Sequence, residues 1–423
     1  MKRADSPKHL IRQLKRVVIT GSGALTPLGL NLEESWEKAL AGQSGIEKIT
    51  KFSTEGYDVS FAGEVKGFQP DLYIHKKEQK KMDLFIQYAV AATKMALDDS
   101  GLVINAENAE RGGVFIGSGM GGLPNIEDEY RKLLEKGPSR ISPFFIPAVI
   151  TNLASGQVSI LFGVKGPNYS ITSACATGAH SIGEAYNYIR MGTCDYMIAG
   201  GSESTVCPMA IGGFASMRAL STRNAEPQRA SRPFDRDRDG FVLAEGAAVL
   251  ILESLEHAEK RGARILAEVT GYGASSDAHH MTNPAPGGEG GARAMRFALQ
   301  DAGLKASDIQ YINAHGTSTP VGDELETAAV KAVFGDSAKK LWMSSTKSMT
   351  GHTLGAAGAI EGAFCLMALR DQIVPPTINL ENPSETCDLD YVANKARDGK
   401  LQHVMNNSFG FGGTNACLIF SKI

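Results

Sequence analysis

A strand-like run ending in Thr-Gly-x-Gly-Ala occurs twice in this chain. It appears as Val17-Val18-Ile19-Thr20-Gly21-Ser22-Gly23-Ala24 and, 250 residues later, as Ala267-Glu268-Val269-Thr270-Gly271-Tyr272-Gly273-Ala274. A second echo sets Ala96-Leu97-Asp98-Asp99-Ser100-Gly101-Leu102 against Ala298-Leu299-Gln300-Asp301-Ala302-Gly303-Leu304. Each closes an amphipathic helix on a glycine, the residue that enters a left-handed cap without a side-chain clash. A third, looser echo sets Thr177-Gly178 and Gly183 against Thr350-Gly351 and Gly355. Three echoes in one order point to an internal duplication, so the fold is expected to have two similar halves.

The remaining pattern is α/β. Apolar runs at 112–117, 196–199, 247–252, 309–314, 341–345 and 416–420 read as strands covered on both faces. Helical spacing covers 33–41, 79–97, 125–136, 177–191, 253–261, 288–302, 323–333 and 355–370. The last is rich in Gly and Ala, which lowers helix propensity but permits close packing, so it is expected between sheets. The expected layering is helix, sheet, helix, sheet, helix. Residues 1–15 read as a flexible extension, 16–265 as the amino-terminal half with cap insertions and 266–423 as the carboxy-terminal half. Glycine supplies 47 of 423 residues, or 11%, against about 7% in ordinary proteins, and the excess needs a structural reason.

A formal charge of -3 argues against generic nucleic-acid binding. No run approaches the roughly 20 apolar residues of a membrane span, and the polar first residues lack the core of a secretory signal. The six cysteines are sparse and show no CxxC spacing, so neither a disulfide framework nor a zinc site is expected. The expected location is the cytoplasm.

Cys175 lies where the strand-like Tyr169–Thr172 passes directly into a helix, among Ala174, Ala176 and Gly178. Unpaired amides and the helix dipole at such a turn are expected to favour a thiolate and to bind an oxyanion. His315 follows one apolar strand and precedes a Gly-Thr-Ser-Thr-Pro turn, while His352 follows another strand through Lys347-Ser348-Met349-Thr350-Gly351. Two histidines at strand ends suit one pocket at a sheet's carboxyl edge. Lys347, in a small and apolar setting, is expected to hold an acidic partner, either Glu326 or Glu361. Phe409 and Phe411 interleave with Gly410, Gly412 and Gly413, which suggests close backbone approach and one mobile wall.

Ser173-Ala-Cys175-Ala-Thr-Gly178, Asn313-Ala-His315-Gly-Thr-Ser-Thr-Pro320, Lys347-Ser-Met-Thr-Gly-His352 and Asn407-Ser-Phe-Gly-Phe-Gly-Gly-Thr-Asn415 occur in that order. Together they resemble the elongating β-ketoacyl-acyl carrier protein synthases of type II fatty-acid synthesis. The resemblance runs from about residue 16 to the end. It implies the five-layered, duplicated thiolase-like α/β fold and a homodimer. It also implies that Cys175 takes an acyl group from acyl carrier protein. His315 and His352 would then stabilise the enolate formed as malonyl-carrier protein loses carbon dioxide, with Lys347 supporting them. The amides of Cys175 and Phe411 would hold the oxyanion, and Phe411 would act as a gate. Met120 and Phe409 would line the substrate site, with the phosphopantetheine arm near Thr317 and Thr319.

The resemblance further implies no required cofactor, a monovalent cation near Asn313, Glu361, Asn406 and Asn407, and a basic carrier-docking surface at Lys77, Lys80, Lys81 and Arg218. Thiolases use a second cysteine, which the late block lacks. Initiating synthases carry Asn where His352 stands. A polyketide synthase with the same Cys-His-His set, or a non-enzymatic chain-length partner, are the alternatives, and the presence of Cys175 argues against the latter.

Overall fold

The structure is a computed structural model that describes residues 14–423. Of the expected extension, residues 1–13 lie outside the described residues.

The first half contributes β1 (Val17–Leu25), β2 (Gly112–Gly117), β3 (Tyr196–Glu203) and β4 (Gly246–Ser254). The second contributes β5 (Ala267–Ser276), β6 (Tyr311–Asn313), β7 (Trp342–Ser344), β8 (His403–Gly410) and β9 (Thr414–Ser421). They form one nine-stranded sheet in the order β2-β3-β4-β1-β5-β9-β8-β6-β7. The halves meet where Val17, Val18 and Ile19 pair antiparallel with Val269, Glu268 and Ala267. A bridge from Asn168 to Val114 stands in the first half where β7 stands in the second. With it counted, both halves run in the same spatial order by chain rank: third, second, fourth, fifth, first. The duplication is therefore a repeated topology as well as a repeated sequence.

Seven helices complete the layers: α1 (Leu84–Ser100), α2 (Leu123–Lys136), α3 (Leu153–Phe162), α4 (Thr177–Arg190), α5 (Glu289–Ala302), α6 (Gly322–Phe334) and α7 (Ala357–Asp371). α1 covers β1 and β4 on one outer face, and α5 covers β5 and β9 on the other. α4 and α7 pack together between the two halves of the sheet and touch strands of both, so one continuous sheet, and not two separate ones, supplies both strand layers; every residue of α7 from Ala357 to Leu369 is buried. The core follows the same layers, with one apolar cluster about α4 and α7 and one beneath each outer helical layer.

The first two echoes explain part of the glycine excess. A Cβ on Gly21 would lie 2.3 Å from the carbonyl oxygen of Ala96, and one on Gly271 would lie 2.4 Å from that of Ala298. Both echoes thus describe one joint, a strand pressed against the backbone of the helix that follows it. Gly101 and Gly303 end the two helices with φ of 62° and 66°.

The third echo needs correction. The structural counterpart of the Cys175 turn is the turn at Leu354–Ala356, which pairs Thr177 with Ala357 and not with Thr350. Ala174 and Leu354 have φ of 48° and 47°, and each opens a short 3-10 turn that runs straight into a central helix. A Cβ on Gly178 would come 2.7 Å from the nitrogen of Ala359, and one on Gly358 would come 2.7 Å from that of Ala179. The two helices cross through reciprocal glycines. Residues 403–410, ahead of the last strand, are themselves a strand paired with β9 along its length.

Candidate active site

Cys175 sits in the 3-10 turn ahead of α4, buried and 8% exposed. The turn is tied down locally. The Ser173 amide donates to Thr177 Oγ1 at 2.8 Å, and Thr414 Oγ1 donates to the Ser173 carbonyl at 3.0 Å. His352 Nε2 lies 2.9 Å from Cys175 Sγ, although 177 residues separate them. The His315 and His352 rings stand edge to face with centroids 5.5 Å apart.

Burial drives the electrostatics. Desolvation, together with the nearby Lys347 charge, pushes both His315 and His352 well below the usual imidazole range, so both rings are neutral. Their Nδ1 atoms are buried without hydrogen-bond partners. An orphaned N–H costs more than an orphaned lone pair, so the ring proton belongs on Nε2, where His352 faces the sulfur. The thiol departs from expectation. Burial pushes it up to about 12 against the lowering influence of Lys347 and of the Phe411 amide, which donates toward the sulfur. The resting group is a thiol and not the thiolate the helix start suggested, because desolvation outweighs the cap.

Behind the two rings, Lys347 is 1% exposed. Its Nζ donates to the His315 carbonyl at 2.7 Å and forms a close ion pair with Glu361 Oε1. Of the two acidic partners considered for Lys347, the structure selects Glu361, whose carboxyl is raised to about 7 by burial and restrained by the lysine. Glu326 does something else. It accepts the amides of His315 at 2.9 Å and Gly316 at 2.7 Å, and so fixes the turn that carries the first histidine.

These side chains open on a cavity of about 500 Å³. Met120, Cys175, Arg218, His315, Thr317, Thr319, His352, Phe409 and Phe411 all line it. Thr317 and Thr319 approach within 3.1 Å through their hydroxyls. Lys77, Lys80 and Lys81 are not brought to the cavity wall. They lie on or just after the short helix Lys76–Gln79, and Lys81 is paired with Glu78 at 2.8 Å.

The four residues named for a cation, Asn313, Glu361, Asn406 and Asn407, are all buried. Glu361 Oε2 and Asn406 Oδ1 are orphaned acceptors that fit a cation. Asn313 leaves its Nδ2 unpaired, and Asn407 is engaged with Glu326 and Cys417, so these two side chains do not fit as placed. Among the described residues there is no cluster of three or more His, Cys, Asp or Glu side chains suited to a metal, and no helix long and apolar enough to cross a membrane.

Sequence reasoning missed Glu203. It ends β3 with its carboxylate fully buried, accepting from Ser118 Oγ and from the amides of Gly119, Met120 and Gly355. A signal was present in the sequence, since Glu203 closes an apolar run through Gly200-Gly201-Ser202 with no basic neighbour.

A duplicated five-layer α/β fold that brings one cysteine and two neutral histidines into a single cavity defines a condensing acyltransferase of the thiolase-like class. Residues 14–258 match the amino-terminal domain model of the β-ketoacyl synthases and residues 266–381 match the carboxy-terminal domain model, so the chain belongs to the β-ketoacyl synthase family. It is 55% identical over 409 residues to 3-oxoacyl-[acyl-carrier-protein] synthase 2 of Coxiella burnetii, covering 97% of this chain and 99% of that one. Among solved structures it is similar to a β-ketoacyl synthase from Burkholderia phymatum, with a TM-score of 0.90, 38% identity and coverage of 97% and 100%. It is also similar to a type II polyketide ketosynthase solved with its acyl carrier protein and a bound hexaketide. There the TM-score is 0.90 and the identity 34%, over 97% of this chain and 100% of that one.

Proposed function

We propose that the chain extends fatty acyl thioesters by two carbons through a decarboxylative Claisen condensation at Cys175. The observation that carries this reading is the 2.9 Å contact between Cys175 Sγ and His352 Nε2 beside His315, in a cavity roomy enough for a thioester. Cys175 Sγ attacks the thioester carbonyl of acyl-carrier protein. The carbonyl becomes an oxyanion facing the amides of Cys175 and Phe411, and the carrier leaves as a thiol carrying the proton of the cysteine. Malonyl-carrier protein enters next, its phosphopantetheine arm passing Thr317 and Thr319. The Nε2–H groups of His315 and His352 donate to its thioester carbonyl while the bond to the carboxylate breaks and carbon dioxide departs. The resulting enolate carbon attacks the acyl-Cys175 carbonyl. Collapse of that adduct releases β-ketoacyl-carrier protein and returns the sulfur, which takes up a proton.

In this reading Lys347 and Glu361 hold His315 in place through its carbonyl, Phe411 gates the site, and Met120 and Phe409 shape the space beside the acyl chain. The acidic carrier docks near Arg218 at the cavity mouth, with Lys77, Lys80 and Lys81 giving a more distant electrostatic contribution. No cofactor takes part in the chemistry. A structural monovalent cation would be held by the oxygens of Glu361 and Asn406. The chain divides near residue 265, works in the cytoplasm without nucleic acid, and pairs as a homodimer. Exposed apolar side chains on and beside α2 and α3 support the pairing: Tyr130 is 59% exposed, Leu134 69%, Ile146 59% and Ile160 71%.

The test incubates the protein with acyl- and malonyl-carrier proteins and reads products and modified residues by mass. An acyl adduct on Cys175 and a product longer by two carbons are expected, and Cys175→Ala should give neither. A wild-type protein that forms product with no adduct on Cys175 would defeat the mechanism, and repeated condensation to a polyketone would move the reading to polyketide synthesis.

A further inference from the structure

Glu203 is 0% exposed at the end of β3, and its two oxygens divide their partners. Oε1 accepts from Ser118 Oγ at 2.9 Å and from the Met120 amide at 3.2 Å. Oε2 accepts from the Gly119 amide at 2.8 Å and from the Gly355 amide at 3.0 Å. One carboxylate therefore fastens the loop carrying Met120 to the turn that follows His352. The neighbouring backbone leaves room for nothing else. A Cβ on Gly119 would come 2.8 Å from Oε2, and one on Gly355 would come 2.9 Å from Oε2 and 2.3 Å from the Gly119 nitrogen. Gly119, Met120, Cys175, His352 and Leu354 all border the cavity, so the joint lies in its wall between Met120 and His352. Burial raises the carboxyl to about 7, opposed by these four hydrogen bonds.

We infer that Glu203 is a positioning residue that sets acyl-chain selectivity by holding the Met120 side of the cavity against the His352 turn. The inference rests on the reading of Cys175 as the acyl acceptor. Glu203→Gln separates the two sides of the joint. A glutamine amide has one acceptor oxygen and one donor nitrogen, and its best placement keeps the oxygen on the Gly119 and Gly355 amides. The nitrogen then faces Ser118 Oγ, which can accept, and the Met120 amide, which cannot. The substitution frees Met120 selectively.

The experiment measures acylation of Cys175 by intact mass for short, medium and long saturated acyl-carrier proteins, with wild type and Glu203→Gln side by side. Carbon dioxide release from malonyl-carrier protein alone reads the His352 side, and thermal melting checks the fold. The expected result is a change of about tenfold in the long-to-short selectivity ratio, the scale of one charge-assisted hydrogen bond, with decarboxylation changing less. An unchanged ratio, or one common slowing across all lengths, overturns the inference. If wild type is not acylated on Cys175 at all, the reading of the nucleophile fails first and this inference with it. If Glu203→Gln does not fold, Ser118→Ala keeps the carboxylate but removes its hydroxyl donor. It should shift the ratio in the same sense, and an unchanged ratio there also overturns the inference.

Discussion

Cys175 and His352 lie 177 residues apart in the chain, and their contact carries the proposed chemistry. Each stands beside a turn of small residues that opens a central helix, Cys175 inside its turn and His352 just before the next one. A reactive side chain in such a setting has few structural uses, which makes both legible in the sequence. Glu203 also closes an apolar run, yet its role is not legible there, because a carboxylate after a strand reads as the first solvated residue. Its partners include amides 84 and 152 residues away, which no local pattern displays. The protonation state of the cysteine is hidden from sequence for a related reason. The helix start is visible in sequence, but the burial that outweighs it is not. The histidines give a pH prediction. Both are depressed well below 6.5, so they are already neutral at pH 6.5 and stay neutral as the pH rises. Malonyl decarboxylation should therefore be flat across the range where an ordinary histidine titrates, with any acid limb well below it. A limb centred near 6.5 in the rate of carbon dioxide release would show that a charged imidazole is reached in the working site.

At the scale of elements, the repeated joints between strand and helix were readable because close backbone contact admits only glycine at Gly21, Gly23, Gly271 and Gly273. The central helices were harder to place. Their glycines and alanines satisfy the same crossing in many alignments, so the sequence pairs Thr177-Gly178 with Thr350-Gly351 although the structural partner is Ala357-Gly358. Two substitutions separate these meanings of glycine. Gly273→Ala would place a Cβ 2.1 Å from the Ala294 carbonyl oxygen and should cost about 2–3 kcal/mol in denaturant unfolding. Gly213→Ala lies in the helix Pro208–Ser216 with nothing within 4 Å of the new atom. It should be neutral or stabilise by about 0.5–1 kcal/mol, the usual helical advantage of alanine over glycine. Equal losses at both positions would contradict the close-packed joint.

At the scale of the whole molecule, the two halves share one continuous sheet, and its first-half flank carries α2 and α3 with their exposed apolar side chains. A surface of that kind calls for cover, which the proposed homodimer would supply. The protein is expected to run as a dimer in light scattering, and Ile160→Asp should shift it toward monomer while raising solubility. A monomeric wild type at micromolar concentration would remove that surface from the account. Because α2 follows Met120 directly, loss of the dimer should also weaken acyl loading.

The internal symmetry has one further outcome, in stoichiometry. The position equivalent to Cys175 in the second half is Gly355, where any side chain would collide with the Gly119 amide at 2.3 Å. On the proposed mechanism a twice-repeated architecture thus has a single loading point, while its twin, Gly355, donates to the carboxylate that ties the two turns together. Saturation with acyl-carrier protein should stop at one acyl group per polypeptide, however long the incubation, and a second equivalent bound in thioester linkage would mean that the two halves share the labour more evenly than their shapes allow.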